Sequence, residues 1–339
     1  MASGENPSGW PAGVTTSRVA VNGVELDVHE AGDPADPTVL LCHGFPELAY
    51  SWRHQMAPLA AAGYHVLAPD QRGYGRSSAP REVTAYGITE LTGDLAGLLD
   101  HYGKSDAVYV GHDWGALIVW EAARLTSSRV RAVVGVSVPF VQWPGRPTDL
   151  FKMLYGDRFF YMLYFQQVGP AERELEADPR RTMASVLYGA SGVGFASRDV
   201  NAEVPPMEGT GFLTMMPPVP PLPLPGPEGG WLSAADLEMY TSGYEASGFF
   251  GPVSYYRNLD ANYELVKDLS ADLVTMPSWF IAGADDPVLS MDATGVERMK
   301  ATLPDFRGHS IIPGAGHWTQ QEAPQAFNEA LLGFLAGLS

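Results

Sequence analysis

The stretch AVYVGHDWGALIVWEAAR, residues 107–124, decides the reading of this chain. Alternating β-formers lead into Gly111-His112-Asp113-Trp114-Gly115, and a helix-favouring run with apolar residues on nearly every turn follows. The pattern is strand, sharp turn, helix. A glycine two residues on either side of a central residue allows a reversal tight enough to thrust that side chain above a sheet edge. Where the central residue is serine, such an elbow serves attack on an acyl carbon. A carboxylate suits a different electrophile, because Asp displaces a leaving group from a saturated carbon and becomes an ester that activated water then opens. Asp113 therefore calls for an oxyanion hole, a base and an acid to orient that base. Without them it is a turn residue capping the next helix.

Working outward, the flanking segments supply candidates for each part. Ser17 to Glu30 reads as a hairpin about Asn22-Gly23. Thr38 to Cys42 is a buried strand ending in His43-Gly44-Phe45-Pro46-Glu47, and the helix Trp52 to Ala62 precedes a strand from Tyr64 to Pro69. Asp70 to Ser77 is a loop at the same edge; a helix from Ile88 to Tyr102, the elbow and a strand from Val130 to Val138 follow. Strands alternating with helices predict an α/β fold with a mostly parallel, doubly wound sheet. Two further strands, 277–282 and 306–312, end in Gly283-Ala284-Asp285-Asp286 and Gly314-Ala315-Gly316-His317-Trp318, and a closing helix runs from Pro324 to Leu338. Ligands bind at the carboxyl ends of strands in such sheets. Asp113, Asp286 and His317 thus share one edge in the order nucleophile, acid, histidine, the order of α/β-hydrolase triads.

From about Gln142 to Lys267 the pattern changes to aromatic-rich helical segments around the proline-dense run 205–227, PPMEGTGFLTMMPPVPPLPLPGP. That run suits neither a regular helix nor a central strand and reads as a polyproline-like excursion of an inserted helical lid. The expected division is a core over 1–141, beginning with a loose arm over 1–13, a lid over 142–268 and the rest of the core over 269–339.

Composition narrows the function. The 339 residues carry 21 Lys+Arg against 39 Asp+Glu, a formal net charge of −18, which opposes nucleic acid and anionic membranes and favours a small neutral ligand. The single cysteine, Cys42, belongs to an apolar run and reads as a core residue. The N-terminal residues lack a secretory pattern and no apolar run reaches membrane-spanning length, so a cytoplasmic location is the default expectation. No GxGxxG follows the first parallel strand, and no His, Cys or carboxylate set has metal-ligand spacing. Neither cofactor nor metal is expected. Oligomeric state is open, a dimer being one option.

Taken together, HGFPE (43–47), SWRHQ (51–55), DQRGYGRSS (70–78), GHDWG (111–115), YMLYFQ (161–166) with AERELE after it, YYRN (255–258) and GHW (316–318) resemble the soluble epoxide hydrolases of the α/β-hydrolase fold. The resemblance covers nearly the whole chain after the arm. It implies that Asp113 attacks an epoxide carbon, that two lid tyrosines hydrogen-bond the epoxide oxygen and protonate it, and that His317, oriented by Asp286, activates the water that opens the ester. The backbone N–H groups of Phe45 and Trp114 would form the oxyanion hole. Spacing does not separate Tyr161 from Tyr164, or Tyr256 from Tyr255; position within the matching motifs favours Tyr161 and Tyr256. Asp285 rivals Asp286 in the same way, and the match of Asp286-Pro287-Val288 favours Asp286. Two departures, Val168 where a proline commonly follows the FQ motif and the long proline run, bear on pocket shape.

Haloalkane dehalogenases share HGFP and GHDWG but lack the tyrosine motifs and hold halide with Trp or Asn N–H donors. Trp114 fits that role, whereas Phe45 has no side-chain donor. Fluoroacetate dehalogenases carry arginines after the nucleophile, where this chain has Trp114 and Gly115. A binding protein on this fold usually keeps serine at the elbow or loses a triad member, and here the set is whole.

Overall fold

The structure is a computed structural model and describes residues 9–199 and 202–338. In chain order its strands are β1 (Thr15–Val21), β2 (Val24–Ala31), β3 (Thr38–Cys42), β4 (His65–Pro69), β5 (Ala107–His112), β6 (Val130–Val136), β7 (Leu224–Gly226), β8 (Gly229–Leu232), β9 (Ser278–Gly283) and β10 (Phe306–Ile312). Eight form one sheet in the order β1-β2-β4-β3-β5-β6-β9-β10. The β1/β2 and β2/β4 pairs are antiparallel and the rest parallel. Strands β3, β4 and β5 are buried at every residue, as strands covered on both faces must be. The β1–β2 turn places Asn22 and Gly23 at φ 44° and 77°, the paired positive values of a two-residue hairpin loop. Cys42 lies wholly buried, and burial pushes its thiol up from the ordinary value.

The helices α1 (Arg53–Ala61), α2 (Ile88–His101) and α3 (Trp114–Leu125) connect the first strands. Between β6 and β9, which are neighbours in the sheet, come α4 (Pro147–Tyr155), α5 (Tyr161–Tyr164), α6 (Pro170–Glu176), α7 (Pro179–Gly189), α8 (Gly192–Ala196), α9 (Ala234–Ser247), α10 (Phe250–Arg257) and α11 (Leu259–Val266). Among the described residues this segment adds no strand to the main sheet. Its β7 and β8 pair only with each other. The chain ends with α12 (Pro287–Met291), α13 (Gly295–Thr302), α14 (Thr319–Glu322) and α15 (Pro324–Ala336).

Two expectations change. The proline run contains a 3-10 turn at Leu213–Met215 and closes as β7, an edge strand that tolerates Pro225 because it needs few ladder bonds. The arm expected over 1–13 lies outside the described residues up to 8, and beyond them it is anchored: the buried Trp10 stacks on His29 with ring centroids 4.2 Å apart and meets Tyr50 edge-on. A large aromatic ring has more to gain from that burial than the short arm loses in freedom.

Candidate active site

The sheet order reverses direction at β3, whose neighbours are β4 and β5, and open α/β sheets leave a crevice at such a point. Phe45 follows β3 and Asp113 follows β5, so the two meet above that crevice. Asp113 has φ 54° and ψ −116°, a conformation that non-glycine residues rarely hold. The flanking glycines do a different job from the one expected. Neither has a positive φ; each makes room. A Cβ on Gly111 would lie 2.1 Å from the Gly115 carbonyl oxygen, and one on Gly115 would lie 2.1 Å from that of Cys42. Gly44 likewise passes the nucleophile so closely that a Cβ there would stand 2.3 Å from the Asp113 Cβ.

The Asp113 carboxylate is divided between two partners. The Phe45 N–H donates to Oδ1 at 2.8 Å, and His317 Nε2 lies 3.6 Å from Oδ2. Trp114 begins α3, so its N–H belongs to the first turn, where helix donors have no intrahelical acceptor. On the far side of the imidazole, Nδ1 donates to Asp286 Oδ1 at 3.1 Å. Asp286 is wholly buried, accepts from the Val288 N–H at the start of α12, and leaves Oδ2 without a hydrogen-bond partner among the described residues. Asp285 points into solvent. Burial works against charge on Asp113, yet the His317 ring outweighs it and holds the carboxyl below its ordinary value. For His317, burial is again opposed, by the Asp286 and Asp113 carboxylates, which hold it well above the usual histidine range. Both shifts favour a carboxylate–imidazolium pair.

Facing them, Tyr161 and Tyr256 lie with ring centroids 5.7 Å apart. Both line the cavity with Asp113. Burial first and the Asp113 charge second raise both phenols above their ordinary value, so both hydroxyls keep their protons. A hydrogen bond with the Trp114 side chain works the other way at Tyr256. The neighbouring tyrosines are engaged elsewhere: Tyr164 donates to Glu174 Oε2 at 2.8 Å and Tyr255 to the Arg72 carbonyl at 2.9 Å. The cavity has two apolar lobes of about 470 and 370 Å³ that share Asp113, Phe160, Tyr161 and Tyr256. Val168 is 54% exposed and lines neither lobe.

A sequence model of the alpha/beta hydrolase fold matches residues 37–168. Epoxide hydrolase A of Mycobacterium tuberculosis is 47% identical over 96% of this chain and 99% of that protein. The chain belongs to the epoxide hydrolases of the α/β-hydrolase fold. Among solved structures, epoxide hydrolase A of Mycobacterium thermoresistibile superposes with a TM-score of 0.86 at 46% identity, covering 96% of this chain and 99% of that one. An epoxide hydrolase from an endophytic Streptomyces gives 0.87 at 36% identity, with 97% of each chain covered. The protein is thus a hydrolase acting on epoxides. Among the described residues no helix is long and apolar enough to cross a membrane.

Behind this candidate site lies a buried polar frame whose parts the sequence reading passed over. The His317 carbonyl meets His112 Nε2 at 2.7 Å and accepts from Ser137 Oγ at 3.0 Å. Ser137, at φ 67°, carries strain at the end of β6 as Asp113 does after β5. His112 Nδ1 lies 2.6 Å from Glu47 Oε2, and Glu47 Oε1 accepts from the side-chain amides of Gln320 and Gln321. Glu322 accepts from the N–H groups of Gly316 and Trp318, on either side of His317, and from that of Gly192 in the inserted segment. Burial pushes Glu322 up to about 7 despite those donors.

One cluster departs from the expectation that no set of residues suits a metal. Asp27, His29 and Asp70 bring ligand atoms within 4.8 Å of one another. Sequence spacing hid it because Asp70 comes from a separate strand end. None of the three lines the cavity, and Asp70 is already used as an acceptor for the Ala49 N–H.

Proposed function

We propose that the reaction runs through a covalent Asp113 ester, under a lid formed by the segment between β6 and β9. The observation that carries this is the unequal placing of the two Asp113 oxygens. Oδ1 already accepts from the Phe45 N–H, whereas Oδ2 faces the ring of His317. Oδ2 is therefore the nucleophile. It bonds to an epoxide carbon while that carbon's bond to the ring oxygen breaks. The departing oxygen takes a proton from the hydroxyl of Tyr161 or Tyr256. An alkoxide leaves poorly, and a positioned acid contributes about 10²- to 10⁴-fold.

Between the steps the His317 imidazolium passes its Nε2 proton to the tyrosinate through the new product hydroxyl; in the second step water adds to the Asp113 Cγ and gives a proton to the now neutral Nε2. Oδ1 then carries the oxyanion, held by the Phe45 and Trp114 N–H groups; such donors are each worth about 10²- to 10³-fold. Collapse breaks the Cγ–Oδ2 bond: Oδ2 leaves on the substrate carbon, takes the proton of the new carboxyl group and becomes the second hydroxyl of the vicinal diol. The water oxygen stays in the restored Asp113 carboxylate, and His317 is again the imidazolium. No step calls for a cofactor. A halide-displacing reading is disfavoured because the Trp114 indole is engaged with Tyr256 and because two protonated phenols face the nucleophile.

The test is the intact mass of His317→Gln after incubation with styrene oxide and, separately, with a bromoalkane. A gain equal to the whole epoxide, absent with the bromoalkane, is expected. A gain equal to the alkyl group without bromine would assign dehalogenation instead. Diol formation by Asp113→Ala would refute the covalent route.

A further inference from the structure

The smaller lobe contains a cation that the reaction does not use. Arg198 follows α8 and lines the lobe with Phe195, Val204, Met215 and Met216, while Asp113, Tyr161, Tyr256 and His317 line the same lobe. Its guanidinium lies 5.5 Å from the centroid of the Phe195 ring. Nη2 donates to the Gly189 carbonyl at 2.9 Å and reaches Met216 Sδ at 3.8 Å. Nε is buried and has no acceptor among the described residues.

A guanidinium carries five donors and no acceptor, and a charge set against apolar side chains is costly unless it is paired. Arg298, in the larger lobe, meets that demand with the Asp292 carboxylate. Arg53, Arg72, Arg124 and Arg257 also have carboxylate partners. Arg198 has none among the described residues, in a chain with 39 acidic side chains to 21 basic ones. Desolvation lowers its ordinary value with no charge opposing the shift.

We propose that Arg198 is the anchor for an anionic group of the substrate, a carboxylate borne on the arm of the epoxide that enters the smaller lobe. This rests on the reading of the site as an epoxide hydrolase and adds a substrate class to it. The same lobe is also lined by the apolar Val186, Phe159 and Phe212, so the arm is a hydrocarbon chain. A guanidinium offers a carboxylate two parallel N–H donors, which a lysine does not. The net charge of −18 works against an approaching anion, so a preference for acids over neutral analogues cannot come from the overall field. It has to come from a local cation.

The experiment compares kcat/KM of the full-length enzyme for terminal-epoxide alkanoic acids of increasing chain length, each beside its methyl ester. At the length that spans the lobe, the acid is expected to exceed its ester by about 10- to 100-fold, the range of a hydrogen bond to a charged group. Arg198→Gln should bring that ratio to about one or below, and Arg198→Lys should retain part of it. The ratio is the readout, so a general loss of activity in a variant does not imitate the effect. Raised salt should narrow the wild-type ratio. Acids and esters turned over equally at every length, or a ratio unchanged in Arg198→Gln, would overturn this inference and leave epoxide hydrolysis standing. Turnover of neither class by an enzyme that hydrolyses styrene oxide would likewise overturn this inference alone.

Discussion

Replacing Asp286 by Asn tests the second half of the mechanism because the structure isolates what the substitution changes. Asp286 Oδ1 sits 3.1 Å from His317 Nδ1 and 2.8 Å from the Val288 nitrogen. An Asn oxygen at that position still accepts both bonds, so the ring keeps its tautomer and orientation. The charge is lost. Unit charges about 4 Å apart interact by about 4 kcal/mol at an effective dielectric of about 20, and a neutral acceptor retains about 1 kcal/mol of that. The imidazolium that forms as water attacks therefore loses about 3 kcal/mol, which slows ester hydrolysis about 10²-fold. Ester formation depends on Asp113 and the tyrosines and should change far less. In single-turnover mixing followed by acid quench and mass measurement, the variant should accumulate the covalent ester that wild type scarcely shows. The pH midpoint of hydrolysis should also fall, since His317 loses the carboxylate that raises it most. Wild-type hydrolysis rates in the variant, with the midpoint unmoved, would refute the assignment of Asp286.

The other expectations follow from single contacts. Tyr161→Phe and Tyr256→Phe should each slow ester formation by about 10²-fold, the low end for a lost general acid, with hydrolysis of preformed ester unaffected; Tyr164→Phe, whose hydroxyl goes to Glu174, should stay within a few-fold, and stopped-flow rates separate the cases. Glu322 has a folded value of about 7 against an ordinary 4.5, so its contribution to stability is fully present below pH 4.5 and is lost as pH rises through 7. That amounts to about 3 kcal/mol at 1.4 kcal/mol per unit, and denaturation midpoints across that window should decline less steeply in Glu322→Ala than in wild type, the remaining slope coming from Asp70, which burial also pushes up to about 7. Asp113→Asn removes one of the two carboxylates facing His317, so the imidazole should titrate at lower pH than in wild type. Histidine NMR reads this directly, and an unchanged titration would show that the Asp113 charge does not act on the ring.

What could be read from the sequence follows the local rules that produce each feature. Unbroken apolar runs such as TVLLC and AVYVG have one solution in a parallel sheet, and turns rich in glycine at their ends mark the edge where Asp113, Asp286 and His317 meet. The exposure of Asp285 beside a buried Asp286 depends instead on how the chain leaves β9, which spacing does not encode. Tyr161 and Tyr164 differ because Glu174 of α6 claims the second hydroxyl, a contact across two elements. Gln320 and Gln321 look like surface residues, yet both are buried because Glu47, from another motif, needs donors in the interior. Polar residues that serve one another across long stretches of chain give no periodic signal.

The arrangement also explains why a single histidine serves a site that must first keep, and then spend, a proton. In the resting enzyme His317 lies between two carboxylates, and both favour its charged form. That charge holds Asp113 ionised in a buried cavity, where an isolated carboxylate would take up a proton and lose its nucleophilicity. On the covalent route proposed above, alkylation of Oδ2 turns Asp113 into a neutral ester, and the Asp113 part of the support for the imidazolium disappears with it. The ring then gives up its proton more readily, at the stage where a base is needed. Asp286, wholly buried and fixed by the Val288 N–H, is not consumed, so the ring retains its orientation and enough basicity to accept a proton from water. In that proposal one change of charge at Asp113 switches its neighbour from counter-ion to base.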